Sequence, residues 1–319
     1  MRQYRFTLVL MVLMLCGNVF VRAQTPAAAV SCLQDGNKKL SKGDLEGAIQ
    51  DYTRAIEISS HPASVRGERA ISWSSANGFA GAATDSDRIT IVDPFTADAY
   101  NNRGIARYHK GDLNEAVADF DRALRIRPGL AEAYLNRGAA LRSKGESERA
   151  LADFDRALTL NKHLFEAYNN RGSLRDDLGD FDGALADFDQ AIRINPRVAE
   201  IYYHRGHTRE KKEDHDGAMS DFDRAIQLKP QFAWAYQGRG VVWMDKGNLE
   251  RAIIDLNRAL ELDPHYAPAY INRGLSLLLQ GKEDEAQADF ARFIALKPAL
   301  KADLDRRVQL ARELREASR

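Results

Sequence analysis

Glu200, His204, His207 and Glu210 follow one another at steps of four, three and three residues. On a helix such steps put side chains on one face. Two imidazoles beside a carboxylate can hold zinc or move a proton, so the set is a candidate metal or acid–base site. The same four residues also fit a solvated helix face, and nothing else in the chain suggests metal chemistry. The sequence carries no glycine-rich phosphate loop, no Gly-x-Ser-x-Gly elbow and no His-Glu-x-x-His run.

A second pattern joins an arginine to an aspartate sixteen residues later. It occurs seven times: Arg69 with Asp85, Arg103 with Asp119, Arg137 with Asp153, Arg171 with Asp187, Arg205 with Asp221, Arg239 with Asp255 and Arg273 with Asp289. A half-buried arginine left unpaired costs several kcal/mol, which explains why neither partner is lost singly. Bidentate geometry explains why the cation is arginine rather than lysine. The pairs read as ties between the two helices of a unit or across adjacent units. The alternative is a ladder of anion sites, but each guanidinium already has a carboxylate to neutralise it. Asp189, two residues beyond Asp187, reads as an exposed bystander.

The elements that position these residues follow from the spacing. The arginines from Arg103 to Arg273 recur every 34 residues, and Asp-Phe follows each one except Arg239, where Leu256 replaces the phenylalanine. Pro128, Pro196, Pro230, Pro264 and Pro298 close the units, with Lys162 where one proline is missing. The frame runs backward through a weaker copy at 63–96 and another at 29–62, the latter with Gly36, Gly43, Ala48, Tyr52 and Ala55 in phase and Asp35 in place of the arginine. Eight units of 34 fill residues 29–300. In 131–164 the steps of Ala133, Tyr134, Arg137, Gly138 and Leu141 predict one helix. Gly145 breaks it, and Ala150, Leu151, Phe154, Ala157 and Leu158 predict a second. Gly138 and Ala150 are small where the two helices must approach closely. A lone pair cannot bury its apolar face, but stacked pairs share one core.

The period and its glycine, tyrosine, alanine, phenylalanine and proline landmarks resemble the tetratricopeptide repeat family. The resemblance covers 272 of 319 residues. It departs from the family in its seventh-position arginine, where leucine is usual, and in the two N-terminal units, where Ala70 replaces the glycine and Ser86 the aromatic. The implied fold is all-α: a right-handed superhelix, or α-solenoid, of about eight helix-turn-helix units. Residues 301–319 are expected to form a capping helix with Leu304, Val308, Ala311 and Leu314 on one stripe.

The resemblance also implies a concave groove lined by the first helix of each unit. Its sixth position reads Asn102, Asn136, Asn170, His204, Gly238 and Asn272. The asparagines resemble the ladder of O-linked N-acetylglucosamine transferases, where amides hold the backbone of an extended peptide. An amide offers a donor and an acceptor together, so it can match a peptide unit. Bonding between neighbouring helices is the equal alternative, and His204 and Gly238 interrupt the series. From the third to the eighth unit the implied groove positions carry Asp98, Glu132, Glu166, Asp176, Asp177, Glu200, Glu210 and Asp245 against Arg142 and Lys211, a net of −6. That groove favours neutral or basic segments. The lysine-rich carboxylate clamp of chaperone-binding relatives is missing. Tyr203, His204, His207 and Trp234 are the expected centre of the site, as aromatic anchors are enriched at binding hot spots.

The first residues read differently from the rest. Arg2 and Arg5, the apolar run 8–21 and Val21-Arg22-Ala23 resemble a secretory signal peptide cut before Gln24. An uncleaved anchor is the alternative, though the run is shorter than the roughly 20 residues of a spanning helix. Lipidation at Cys16 or Cys32 fits poorly. Cleavage leaves Cys32 as the one cysteine and shifts the net charge from 0 to about −3. The expected organisation is signal 1–23, linker 24–28, two degenerate units over 29–96, six regular units over 97–300 and the cap over 301–319.

Balanced charges, 46 basic against 46 acidic, give no support to nucleic-acid binding. The sequence therefore predicts an exported, periplasmic or secreted scaffold with protein or peptide partners, no cofactor, no membrane span after cleavage and no catalysis. The alternative is an enzyme or enzyme subunit using His204 and His207. Self-association through exposed repeat faces stays open.

Overall fold

The computed structural model describes residues 27–60 and 94–317. The signal segment, the start of the linker, nearly all of the unit read over 63–96 and the pair Arg69–Asp85 lie outside the described residues. Among the described residues there are fifteen α-helices, one short 3-10 turn and no strand.

The chain divides into two compact units, Met1–Leu160 and Asn161–Arg319. The first holds α1 (Ala27–Ser41) paired with α2 (Leu45–Ser60), α3 (Pro94–Lys110) with α4 (Leu113–Ile126), and α5 (Ala131–Ser143) with α6 (Ser147–Leu160). The second holds α7 (Phe165–Asp177) with α8 (Phe181–Ile194), α9 (Ala199–Lys211) with α10 (His215–Leu228), α11 (Ala233–Asp245) with α12 (Leu249–Leu262), and α13 (Ala267–Leu279) with α14 (Glu283–Leu296). A final helix, α15 (Lys301–Ala317), follows the 3-10 turn Pro298–Leu300. Within each unit a second helix packs on the first helix of the next pair, and consecutive first helices also touch. The first helices therefore form one layer, α1–α3–α5 in the first unit and α7–α9–α11–α13 in the second.

Turn chemistry explains the pairing. Gly145 adopts φ +79 after α5, and Glu146 N–H returns to the Leu141 carbonyl at 2.9 Å. Such a left-handed residue lets a helix end and reverse, and glycine meets the demand without steric cost. Glu213 takes the same turn position with φ 60, although a side chain there is strained. Asp180, Asp214 and Asn248 then accept a backbone N–H three residues on, capping α8, α10 and α12.

The paired helices meet at a glycine and a phenylalanine. Phe120, Phe154 and Phe188 are fully buried. A Cβ built on Gly138 would lie 2.7 Å from the Phe154 ring, and one on Gly104 would lie 2.6 Å from Phe120. Each buried ring stabilises its pair by roughly 1.5–3 kcal/mol, and only the bare glycine lets the helix come that close.

The repeated arginine fastens both levels of the stack. In all six described pairs Nε and Nη2 each donate to one carboxylate oxygen of the aspartate on the pair's second helix, at 2.5–2.9 Å. Within each compact unit the remaining Nη1 reaches back to the preceding pair. Arg137 bonds Asp121, Arg205 bonds Asp189 and Arg239 bonds Asp223, each at 2.6 Å, while Arg273 bonds Asn257 at 2.7 Å. Each guanidinium also lies over the ring of the tyrosine three residues earlier, as Arg137 over Tyr134 at 5.4 Å. The bond to Asp153, and after it that to Asp121, holds the Arg137 guanidinium above its ordinary range against the effect of burial. Asp189 is therefore no bystander: it is exposed, yet it joins one pair to the next.

Two ends depart from this pattern. In the first pair Asp51 faces Lys39 at 2.7 Å instead of an arginine. Its helix α2 packs directly on α3, where Arg103 Nη1 donates to Thr53 Oγ1 at 3.0 Å. That bond spans 50 residues, whereas Arg137 reaches Asp121 across 16. At the other end α15 lies on α13, burying Leu304 and Ala311, with Val308 against the same cluster. Leu314 differs from the expected stripe and is 57% exposed.

Two measurements follow. Gly138→Ala should lower the denaturation midpoint by ~1–3 kcal/mol of stability, although alanine is the better helix former by about 1 kcal/mol. Gly240→Ala should cost less, because its nearest neighbour is the Leu256 side chain at 3.0 Å. Asp187→Ala leaves Arg171 without its two-point partner and should cost about 3 kcal/mol. Asp189→Ala removes an exposed single bond and should cost about 0.5 kcal/mol. Thermal unfolding of the two variants side by side ranks them.

Candidate binding cleft

The first-helix layer of the second unit opens into a cleft between α9, α11 and α13. Its volume is about 270 Å³, and its walls are Tyr203, His207, Glu210, Phe222, Gln237, Gly238, Val241, Tyr266 and Pro268. Repeat geometry explains the opening. The sixth position of a unit lies against the phenylalanine of the unit before it: His204 stacks on Phe188 at 6.0 Å, with 14° between the ring planes. At Gly238 that position is empty of side chain, and a Cβ there would sit 2.6 Å from the Phe222 ring. The glycine that interrupts the asparagine series thus lets the Phe222 ring come close, and both line the cleft.

Aromatic rings frame it. Tyr203 lies 5.3 Å from Phe232 and 6.0 Å from Trp234, and Trp234 stacks on Tyr266 at 6.4 Å. Trp234 is 48% exposed, unusual for so large an apolar ring. It occupies the second position of its unit, where Asp98, Glu132, Glu166 and Glu200 stand in the four preceding regular units. Burial, with smaller contributions from Asp176 and Glu210, raises the Tyr203 hydroxyl above its ordinary value, so it stays a neutral hydrogen-bond donor.

Charge surrounds the rings. A second, more open cleft of about 430 Å³ adjoins the first through Glu210 and adds Lys211, Glu213, His215 and Asp245. Burial raises the Glu210 carboxyl, and the Asp245 charge raises it further. Burial raises Asp245 as well. Other acids of the layer are engaged: Asp98 with Arg127, Asp176 with Lys211 at 2.6 Å, and Glu200 with Lys229 at 2.7 Å. The expected net of −6 thus overstates the charge open to a ligand.

The asparagines separate into two groups. In the first unit Asn136 Nδ2 donates to Asn101 at 3.1 Å, Asn101 to Asn102 at 3.2 Å, and Asn102 to Asn37 at 2.9 Å. The Tyr52 hydroxyl donates to the same Asn37 oxygen at 2.8 Å. This chain of amides crosses three helix pairs, so Asn102 and Asn136 spend their amides on neighbouring helices. Asn101 and Asn37 complete it, and neither stands at the sixth position that drew notice in the sequence. Asn170 on α7 and Asn272 on α13 are half-buried, with no side-chain hydrogen bond among the described residues.

The histidine and glutamate set does not converge. Glu200 is held by Lys229, His204 lies between Phe188 and Tyr203, and His207 leans toward Tyr203 with Nδ1 4.0 Å from Asp176. No group of three or more His, Cys, Asp or Glu able to hold a metal occurs among the described residues. His207 instead forms part of the cleft wall.

Stacked helix pairs tied by a repeated arginine, with a cleft on the first-helix layer, define an α-helical tandem-repeat protein. Tetratricopeptide repeat models match residues 97–130, 131–164, 165–198, 199–232 and 267–300, and a further TPR repeat model matches 242–281. The chain belongs to the tetratricopeptide repeat family. It is similar in structure to a tetratricopeptide repeat protein from Parabacteroides merdae, at 21% identity and a TM-score of 0.61 over 90% of this chain and 99% of that one. It is also similar to PilF of Pseudomonas aeruginosa, at 15% identity and a TM-score of 0.59 over 70% of this chain and 97% of that one. These likenesses concern the fold alone. No curated protein sequence matches the chain.

Burial, followed by the Lys211 charge, pushes the His207 imidazole below its ordinary value of 6.5, against the pull of Asp176 and Asp177. His207 should therefore be neutral at physiological pH and titrate below the exposed histidines. Proton NMR of the imidazoles across a pH series, with His207→Asn for assignment, checks this.

Proposed function

We propose that the protein is a non-enzymatic interaction scaffold that holds an extended segment of a partner protein along the first-helix layer of α7–α13. Proteins of the tetratricopeptide repeat family generally mediate protein–protein interactions, which supports the general reading. The observation that carries the particular one is the ring-lined cleft. Tyr203, Trp234 and Tyr266 offer stiff apolar surface at little entropic cost, the usual make-up of an interface anchor. The free amides of Asn170 and Asn272 lie on α7 and α13 of the same layer and suit the backbone of a segment running along it. Asn102 and Asn136 are left out of the proposed contact, because their amides bond across helix pairs.

The leader read over 1–23 and the lone cysteine expected after cleavage suit work outside the cytoplasm, in the periplasm or beyond the cell. Its partner is then an envelope or secreted protein, and the scaffold presents a neutral or acidic surface to it. Self-association remains an open property of the same surface.

Selection of random displayed peptides on the full chain, followed by fluorescence anisotropy of the winners, tests the reading. Trp234→Ala should weaken the selected peptides at least ~tenfold while leaving the melting temperature near that of the unaltered protein. Tyr203→Ala should weaken them too, with some loss of stability because its ring packs on Phe222 and Phe232. Unchanged affinity in Trp234→Ala would remove the cleft from the binding surface.

A further inference from the structure

The two adjoining clefts differ in character, and the difference points to the chemistry of one ligand side chain. The first is walled by apolar and aromatic groups, among them Tyr203, Phe222, Val241, Tyr266 and Pro268. The second is polar and meets the first at Glu210, with Asp245 across it. A group entering from the rings thus passes along apolar surface and ends beside three carboxylates, Glu210, Glu213 and Asp245, with Lys211 and His215 completing the polar lining. Lysine and arginine have this shape: an apolar stem and a cationic head.

Charge bookkeeping narrows the choice. The nearby lysine, Lys211, is already bound to Asp176 at 2.6 Å. Glu210 and Asp245 form no ion pair among the described residues, both are raised by burial, and the Asp245 charge raises Glu210 further. A second acid in such a place is unfavourable unless a cation arrives. Neutral or acidic guests leave that repulsion in place, whereas a basic head relieves it. The rings add attraction, since a cation over an aromatic face gains further stabilisation.

We propose that the cleft is a socket for one lysine or arginine side chain of the docked segment, its stem between Tyr203, Val241 and Tyr266 and its head at Glu210 and Asp245. This rests on the peptide-binding reading of the same layer and adds the residue that the layer selects. Protons compete with the cationic head for the two carboxylates. The groups facing them are His207 and Lys211 on α9, Asp176 and Asp177 on α7, His215 on α10, and Glu213 in the turn between α9 and α10. Because both carboxyls titrate above their ordinary values, affinity for a basic segment falls as the solution is acidified through those raised values. Protonation of His207 in the same direction adds positive charge and deepens the fall.

The test uses the full chain and a Glu210→Gln/Asp245→Asn double variant, both surface-compatible changes checked by thermal unfolding. Random peptides selected on the unaltered protein should share a lysine or arginine at one fixed place. Peptides selected on the double variant should lose that residue while still depending on Trp234. In direct binding, replacing the shared basic residue by norleucine should weaken the unaltered protein at least ~tenfold and leave the double variant nearly unchanged. The norleucine peptide should also lose the acid sensitivity of its basic parent. Exchange of lysine for arginine at the shared place tells which head the socket prefers. Winners with no common basic residue, or a norleucine effect equal in both proteins, would overturn the socket and spare the groove. Winners that bind equally well to Trp234→Ala would overturn both.

Discussion

One guanidinium, repeated at a fixed period, ties consecutive helix pairs together within each compact unit. Its geometry is used in full: two donors close the pair, and the third reaches the pair before. A lysine has a compact charged head without the planar fork that matches a carboxylate at two points while a third donor reaches elsewhere. Placing an arginine between helices is costly unless its hydrogen bonds are met. Here they are met, so the cost becomes a test of register. A pair shifted by one turn strands a charge and also moves each phenylalanine off the glycine that makes room for it.

The clamp explains why the first-helix layer can vary. Closure of a pair rests on glycine against phenylalanine and on arginine with aspartate, all of which face neighbouring helices. The second, fifth, sixth and ninth positions are free of that duty. In the first unit they hold amides that bond among themselves. In the second they hold tyrosine, tryptophan, histidine and a bare glycine, and there the surface opens. The fold therefore separates what holds the helices together from what can meet a partner, as repeat proteins with one varied face do.

Much of this was legible in the residues because periodicity is a direct record of packing. The pairing of Arg137 with Asp153 could be read from co-occurrence alone, since an unpaired partner would be too costly to keep. The second carboxylate, Asp121 or Asp189, was not legible as a partner. An aspartate two residues past a buried one, on a helix, looks like any solvated acid. Gly238 was misread in a more instructive way. In a list of asparagines it is a gap that weakens a site, whereas in space it lies against the Phe222 ring in the wall of the cleft. Asn101 and Asn37 were missed because an amide chain depends on which side chains meet across helices, and spacing within one unit does not report that. The direct seat of α2 on α3 also had no signature, as the 34-residue frame runs unbroken through 63–96.

That seat has a consequence for the order in which the chain is made. Later joints are closed by residues that emerge almost together, such as Asp121 and Arg137. The first joint needs Arg103 against Thr53, Lys110 against Glu46 and Asn102 against Asn37, partners 50 to 65 residues apart. On the ribosome α1 and α2 are complete long before α3 exists. The apolar cluster of Ala55 and Ile56, which Cys32 and Leu33 of α1 already join, is completed only when Ala99 and Tyr100 of α3 arrive. The N-terminal pair is therefore the one that waits through the longest stretch of synthesis between its own completion and the closing of its joint.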